Sequence, residues 1–206
     1  MRNRLTSRCA GKIVAAIVVL CCGLFLMPVQ AVAGETPGKI TVMLDPARTS
    51  IHWTLQDVLH TVRGTFTLTG GVIHLDAPSG TANGLITIQA KSGQSGDSAR
   101  DGRMQKSVLQ SKLYPVIGFR PTQFQGDLDF SKPEVITVKG IFSLHGADHP
   151  FPLQIHVTPQ GENTLHLTTQ FVVPYVEWGL KDPSTFILRV GKTVLVNVDS
   201  YATVKP

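Results

Sequence analysis

His145 and His149 enclose Gly146-Ala147-Asp148, a spacing at which two imidazoles and a carboxylate can begin a metal site. They sit on a Gly/Pro turn ended by Pro150, where no regular element fixes both rings on one side. No third ligand lies nearby in the sequence. Solvated turn residues are the expectation here, and no metal. Glu177 and Asp182 stand beside Trp178 and offer two carboxylates for acid–base work, but nothing in the sequence sets their separation, so ordinary loop residues are expected. Arg100-Asp101 followed by Arg103 is a charged cluster with two readings. One is a solvated helix end with an acid in its first turn; the other is an anchor for an acidic head group. His52, His156 and His166 fall on the polar faces of alternating runs, which needs only solvent.

The remaining chemistry is sparse. The chain has no Gly-x-Ser-x-Gly elbow, phosphate loop, dinucleotide fingerprint or helical His-Glu-x-x-His motif. All three cysteines, Cys9, Cys21 and Cys22, lie in the first 22 residues. That stretch reads as an export signal: Arg2, Arg4, Arg8 and Lys12 precede an apolar run from Ile13 to Val29, and Ala31-Val32-Ala33 offers the small residues a signal peptidase reads. Cleavage after Ala33 leaves 173 of the 206 residues, without cysteine and therefore without thiol or disulfide chemistry. Four of the 19 basic residues and none of the 14 acidic ones leave with the signal, so the mature balance is 15 against 14. A near-neutral surface gives no electrostatic reason to expect nucleic acid or an anionic membrane as partner.

The elements that must position these residues are strands. Ile136, Val138, Gly140, Phe142 and Leu144 alternate with a polar series that only Ile141 interrupts. After a turn at 146–150 the pattern resumes with Phe151, Leu153, Ile155 and Val157. Side chains in a strand alternate faces, so this pair predicts a hairpin with one apolar side. Similar runs cover 39–44, Ile51 to Leu55, 61–69, Val72 to Asp76, Ile86 to Ala90, 116–124, 164–173, 186–190 and 193–204. Gly70-Gly71 is read as a tight hairpin turn. About ten such runs predict one all-β domain over 34–206, a barrel or sandwich. Ser98 to Leu113 departs from period two: Met104, Val108 and Leu109 share a helical face, with Asp97 or Ser98 as N-cap and Pro115 beyond the end, which predicts one short helix.

Trp53, Phe66, Phe119, Phe142, Phe151 and Phe171 all occupy apolar-face positions. A barrel of about eight strands either fills itself with such side chains or encloses a small apolar ligand. A run as long as Thr164–Val173 spans roughly 30 Å at about 3.3 Å per residue, long enough for an extended lipid chain.

The residues also resemble a known family. Leu44-Asp45-Pro46 with Ser50-Ile51-His52-Trp53, then Val62-Arg63-Gly64-Thr65-Phe66 and Gly71, is similar to the opening of the YceI-like family of exported lipid-binding proteins. Arg100-Asp101 through Tyr114-Pro115 with Phe119 resembles its middle signature, and Val138 to Gly146 followed by Pro150 its later one. The resemblance implies an elongated antiparallel barrel of lipocalin-like form, a helix near one end and a deep apolar cavity for an isoprenoid lipid such as an isoprenoid quinone or a polyprenyl phosphate. It also implies a periplasmic setting, often in stress responses. Many members carry an Arg ahead of an acid or amide and a Gly where this chain has Tyr175-Val176-Glu177-Trp178-Gly179. The combined expectation is a non-enzymatic carrier, periplasmic or secreted, without cofactor or metal. Its ligand wall is expected to include Phe66, Ile86, Ile88, Phe119, Phe142, Leu144, Leu153, Ile155, Leu165, Leu167 and Phe171. No nucleic acid and no stable membrane insertion of the mature chain are expected, and a homodimer is left open. The alternatives are a partner-binding or structural barrel serving membrane redox proteins, and a hydrolase sited on the loops of His145, Asp148, His149, Glu177 and Asp182.

Overall fold

Alternation and structure agree most directly in the central hairpin. In the computed structural model, which describes residues 38–57, 61–128, 130–186 and 189–205, β6 (Glu134–Leu144) and β7 (Ala147–Pro159) pair without a slip from Leu144–Ala147 to Glu134–Val157. Ile136, Val138, Phe142, Leu144, Leu153 and Val157 are buried, and Val135, Lys139, Gln154 and His156 face out. The other strands are β1 (Lys39–Asp57), β2 (Thr61–Phe66), β3 (Leu68–Asp76), β4 (Thr81–Gln89), β5 (Val116–Gln125), β8 (Thr164–Val173) and β9 (Val190–Lys205). Every pairing is antiparallel, and β1 closes the sheet on itself by pairing with β9. β2 and β3 follow each other along the same side of β1 and act as one bent strand, so eight strand positions encircle the interior. The domain is thus an all-β antiparallel barrel with one short helix. β7 pairs with β8 only from His156 to Pro159, so the barrel closes through that short ladder while 147–155 of β7 have no ladder partner on β8. The proposed export signal lies outside the described residues. Among those described, no helix is long and apolar enough to cross a membrane.

Three local readings are corrected. The runs at 39–44 and 51–55 belong to one strand of 19 residues, β1. Its pairing with β9 breaks between Leu44 and Thr49, where Asp45 Oδ1 accepts from Ala47 N and Thr49 Oγ1 donates to Asp45 O and meets Ser200 Oγ, each of the two Thr49 contacts at 2.7 Å. The irregularity switches the inward row from Ile40, Val42 and Leu44 to Ile51, Trp53 and Leu55, and a sequence pattern registers such a parity change as a break between strands. Gly70-Gly71 is likewise no hairpin. Both glycines lie inside β3, where the pairing with β4 slips between Leu68 and Gly70. A Cβ on Gly71 would come 2.7 Å from Leu44 Cδ1, so the residue serves close packing and strand bending instead of reversing the chain. Of the run at 186–190, Phe186 lies in a bend and is almost wholly exposed, β9 begins at Val190, and 187–188 lie outside the described residues.

The helix begins where the sequence places it. Asp97 is the N-cap of α1 (Ser98–Arg103), its carboxylate accepting from Arg100 N at 2.8 Å. The backbone then widens into a π-helical turn over Met104–Val108 and ends near Gln110, which adopts φ 47°. The widened turn brings Met104, Val108 and Leu109 to bear on the barrel interior.

Candidate functional site

The barrel interior is divided along its axis. In one half, Val42, Leu75, Phe124, Ile136, Val138, Leu153, Val157, Leu165 and Ala202 are buried against one another. In the other half the inward rows stand back from a cavity of about 650 Å³, within the size range of small-molecule sites. β1 supplies Ile51, Trp53 and Leu55 to its wall, β2 Val62 and Phe66, and β4 Ile88. Ile117 of β5, Phe142 and Leu144 of β6, and Phe171 and Val173 of β8 continue it. β9 contributes Val190, Val194, Val196 and Val198, a row roughly 26 Å long over eight residue steps at about 3.3 Å each.

Two segments close the ends of the walls. Met104, Val108 and Leu109 come from the helix and its wide turn, and Tyr175, Leu180 and Pro183 from the segment between β8 and β9. Tyr175 is 5% exposed and donates its hydroxyl to Gly191 O at 2.8 Å, which ties that segment to the start of β9. Burial, helped by the negative charge of Asp182, pushes its phenol up to about 12. The hydroxyl is therefore a satisfied strut within an apolar wall. Asp97, Ala99, Arg100 and Arg103 line the cavity yet are exposed, so the cavity reaches solvent beside α1.

Of the residues read from the sequence as the ligand wall, Phe66, Ile88, Phe142, Leu144 and Phe171 border this cavity. Phe119, Leu153 and Leu165 are instead buried in the packed core, and Ile86, Ile155 and Leu167 pack partly buried against it. Alternation identifies which residues point inward but not which of them meet other side chains and which face open space. The β9 valines, Tyr175 and Leu180 were not among the sequence-derived wall residues. The alternating run at 193–204 did mark the valines as a strand.

The candidate chemical residues take other roles. His145 and His149 are half-buried, not solvated turn residues. The ring of His145 packs on Tyr114 at 4.4 Å, and that of His149 stacks on Trp178 at 4.1 Å and 3°. Trp178 in turn meets Phe142 and Phe151 edge-on or tilted, at 5.5 and 5.6 Å. Asp148 is held by Arg120 at 2.6 Å and by the Ser143 hydroxyl at 2.6 Å. The Ser143 hydrogen bond, then Arg120, keeps its carboxyl below the usual range. Among the described residues no group of three His, Cys, Asp or Glu is placed to hold a metal ion. Asp182 accepts from Ser184 N at 2.9 Å, and its hydrogen bonds to Ser184 lower its pKa.

The chain was compared with known proteins. A family model described as the YceI-like domain matches residues 43–202. No curated protein sequence matches. Among solved structures, a polyisoprenoid binding domain from Saccharophagus degradans, implicated in plant cell wall breakdown, aligns with a TM-score of 0.65 at 17% identity, covering 80% of this chain and 98% of that one. BcnA of Burkholderia cenocepacia aligns at 0.64 and 15% identity, covering 78% and 99%. The YCEI protein of Campylobacter jejuni aligns at 0.58 and 16%, covering 72% and 88%. At these identities the structural likeness speaks for the fold.

Proposed function

The chain belongs to the YceI-like domain family, and from that premise we propose that it is a carrier which sequesters one isoprenoid-type lipid chain inside the barrel. The observation that carries this reading is the 650 Å³ cavity, whose walls are aliphatic and aromatic and whose three charged side chains, among the described residues, all come from Asp97–Arg103 at its open side. An apolar chain entering it leaves water at about 0.8 kcal/mol per CH₂ buried, so ten methylene equivalents would supply roughly 8 kcal/mol before the costs of ordering. Long-chain lipids have that much hydrocarbon to offer, and small polar metabolites do not. The polyisoprenoid-binding description of the Saccharophagus degradans domain supports an isoprenoid over a generic acyl chain. The basic start, apolar run and Ala31-Val32-Ala33 support export with cleavage after Ala33, to the periplasm or beyond. On the alternative loops, Asp148 is committed to Arg120 and Ser143, and Asp182 to Ser184. Organic extraction of the protein purified from its own host, followed by mass spectrometry, tests the proposal. An isoprenoid lipid in near-stoichiometric amount is expected, whereas an extract free of lipid would count against carriage.

A further inference from the structure

We infer that the cavity selects a lipid with an anionic phosphate head, held by Arg103 with the free edge of Arg100, over an uncharged alcohol or quinone of the same chain. This inference rests on the carrier reading and adds the head-group class to it. Arg100, Arg103 and Met104 lie three and four positions apart and share one helical face, continued by Val108. All four line the cavity, so the segment presents two guanidinium groups at the solvent-exposed end and apolar side chains inward. A molecule with a long hydrocarbon chain and a charged end matches that order.

The commitments of the neighbouring groups single out Arg103. Asp97 spends one carboxylate oxygen on Arg100 N, and that hydrogen bond keeps it ionised over the neutral range. Asp101, which is not on the wall, accepts from Ser95 N at 2.8 Å and from the Ser95 hydroxyl. Arg100 donates Nε to Ser95 Oγ at 2.7 Å and Nη2 to Ser95 O at 3.1 Å, which fixes its guanidinium and leaves Nη1 without a partner among the described residues. The Arg103 side chain makes no hydrogen bond or ion pair with any described residue. The wall therefore carries two cations against one carboxylate, with one full guanidinium fork unassigned. A planar fork of five donors matches two phosphate oxygens at once, which a neutral carbonyl or hydroxyl cannot exploit as fully.

The test compares farnesyl monophosphate with farnesol, by displacement of an apolar fluorescent probe from the full mature protein at low salt. Wild type is expected to bind the phosphate on the order of tenfold more tightly than the alcohol, and rising salt should shrink that ratio. In Arg103→Gln the ratio should fall towards one, and Arg103→Lys, which keeps the charge, should retain part of it. Arg103 is exposed and unpartnered, so neither variant disturbs a packed contact. Equal binding of the two compounds by wild type, or a ratio unchanged in Arg103→Gln, would overturn the head-group assignment while leaving carriage intact. Binding of neither compound would overturn carriage itself. Inorganic phosphate is the remaining arm: it should fail to displace farnesyl phosphate at equal concentration, and effective displacement would mark a free-anion site instead of a lipid head-group site.

Discussion

Val196→Phe and Ala202→Phe place the same ring on the same inward row of β9, three turns of the pleat apart, and should behave oppositely. Val196 lies opposite Trp53 on β1 and Phe171 on β8, and all three border the cavity. Ala202 lies opposite Leu44 and Leu165, in the packed half, and is 1% exposed. Forcing a phenyl group into a filled interior costs about 1–3 kcal/mol and in tight sites more. Ala202→Phe should therefore lower the urea midpoint clearly, whereas Val196→Phe should change stability by less than about 1 kcal/mol because its ring enters open space. Binding should show the reverse. Phe has four more side-chain carbons than Val. If they displace four ligand carbons at about 0.8 kcal/mol each, the loss is about 3 kcal/mol, on the order of a hundredfold in Kd. Urea unfolding and probe displacement on the same two variants read both quantities. If Val196→Phe were as destabilising as Ala202→Phe and left probe affinity untouched, the division of the interior into open and filled halves would be wrong.

Gly64→Ala should be strongly destabilising, by at least about 1–3 kcal/mol in urea unfolding, because its Cβ would lie 2.4 Å from the Trp53 ring and 2.0 Å from Gln94 O. Trp178→Ala should cost about 3 kcal/mol and speed amide exchange across 174–180, since it removes the His149 stack and the contacts to Phe142 and Phe151. Tyr175→Phe should cost about 1 kcal/mol at neutral pH through the lost bond to Gly191. The folded phenol titrates at about 12 against an ordinary value of 10.0, so its contribution is complete below pH 10 and is lost as pH rises towards 12. Across that window the gap between wild type and Tyr175→Phe should close in alkaline unfolding curves, and a gap that stays constant would show the phenol to be unperturbed.

The sequence disclosed the barrel more readily than the cavity, for physical reasons visible in particular residues. The β6–β7 hairpin was legible because one side of the sheet meets the interior and the other meets water, and that asymmetry imprints period two directly. The start of α1 was legible because Asp97 both interrupts the strand pattern and has the side chain an orphan helix N–H requires. The bulge after Leu44 hid the continuity of β1, since a parity change looks the same as a strand end. Gly70-Gly71 misled because glycine permits both turns and close packing, and only the partner, Leu44, distinguishes them. Five of the eleven residues assigned to the ligand wall border the cavity because inward-pointing is a property of local pattern. The other six also point inward but pack in or against the apolar core without bordering the cavity, a distinction set by contacts between strands far apart in sequence. The aromatic seats of His145 and His149 were illegible for the same reason: Trp178 and Tyr114 are each about thirty residues away.

A structure of the protein determined with its co-purified or added polyprenyl lipid tests the central claim most directly. One extended hydrocarbon chain is expected in the half of the barrel bounded by Phe66, Ile88, Phe142 and Val196. Lipid bound elsewhere, or side chains meeting across that space with no room for a chain, would contradict it.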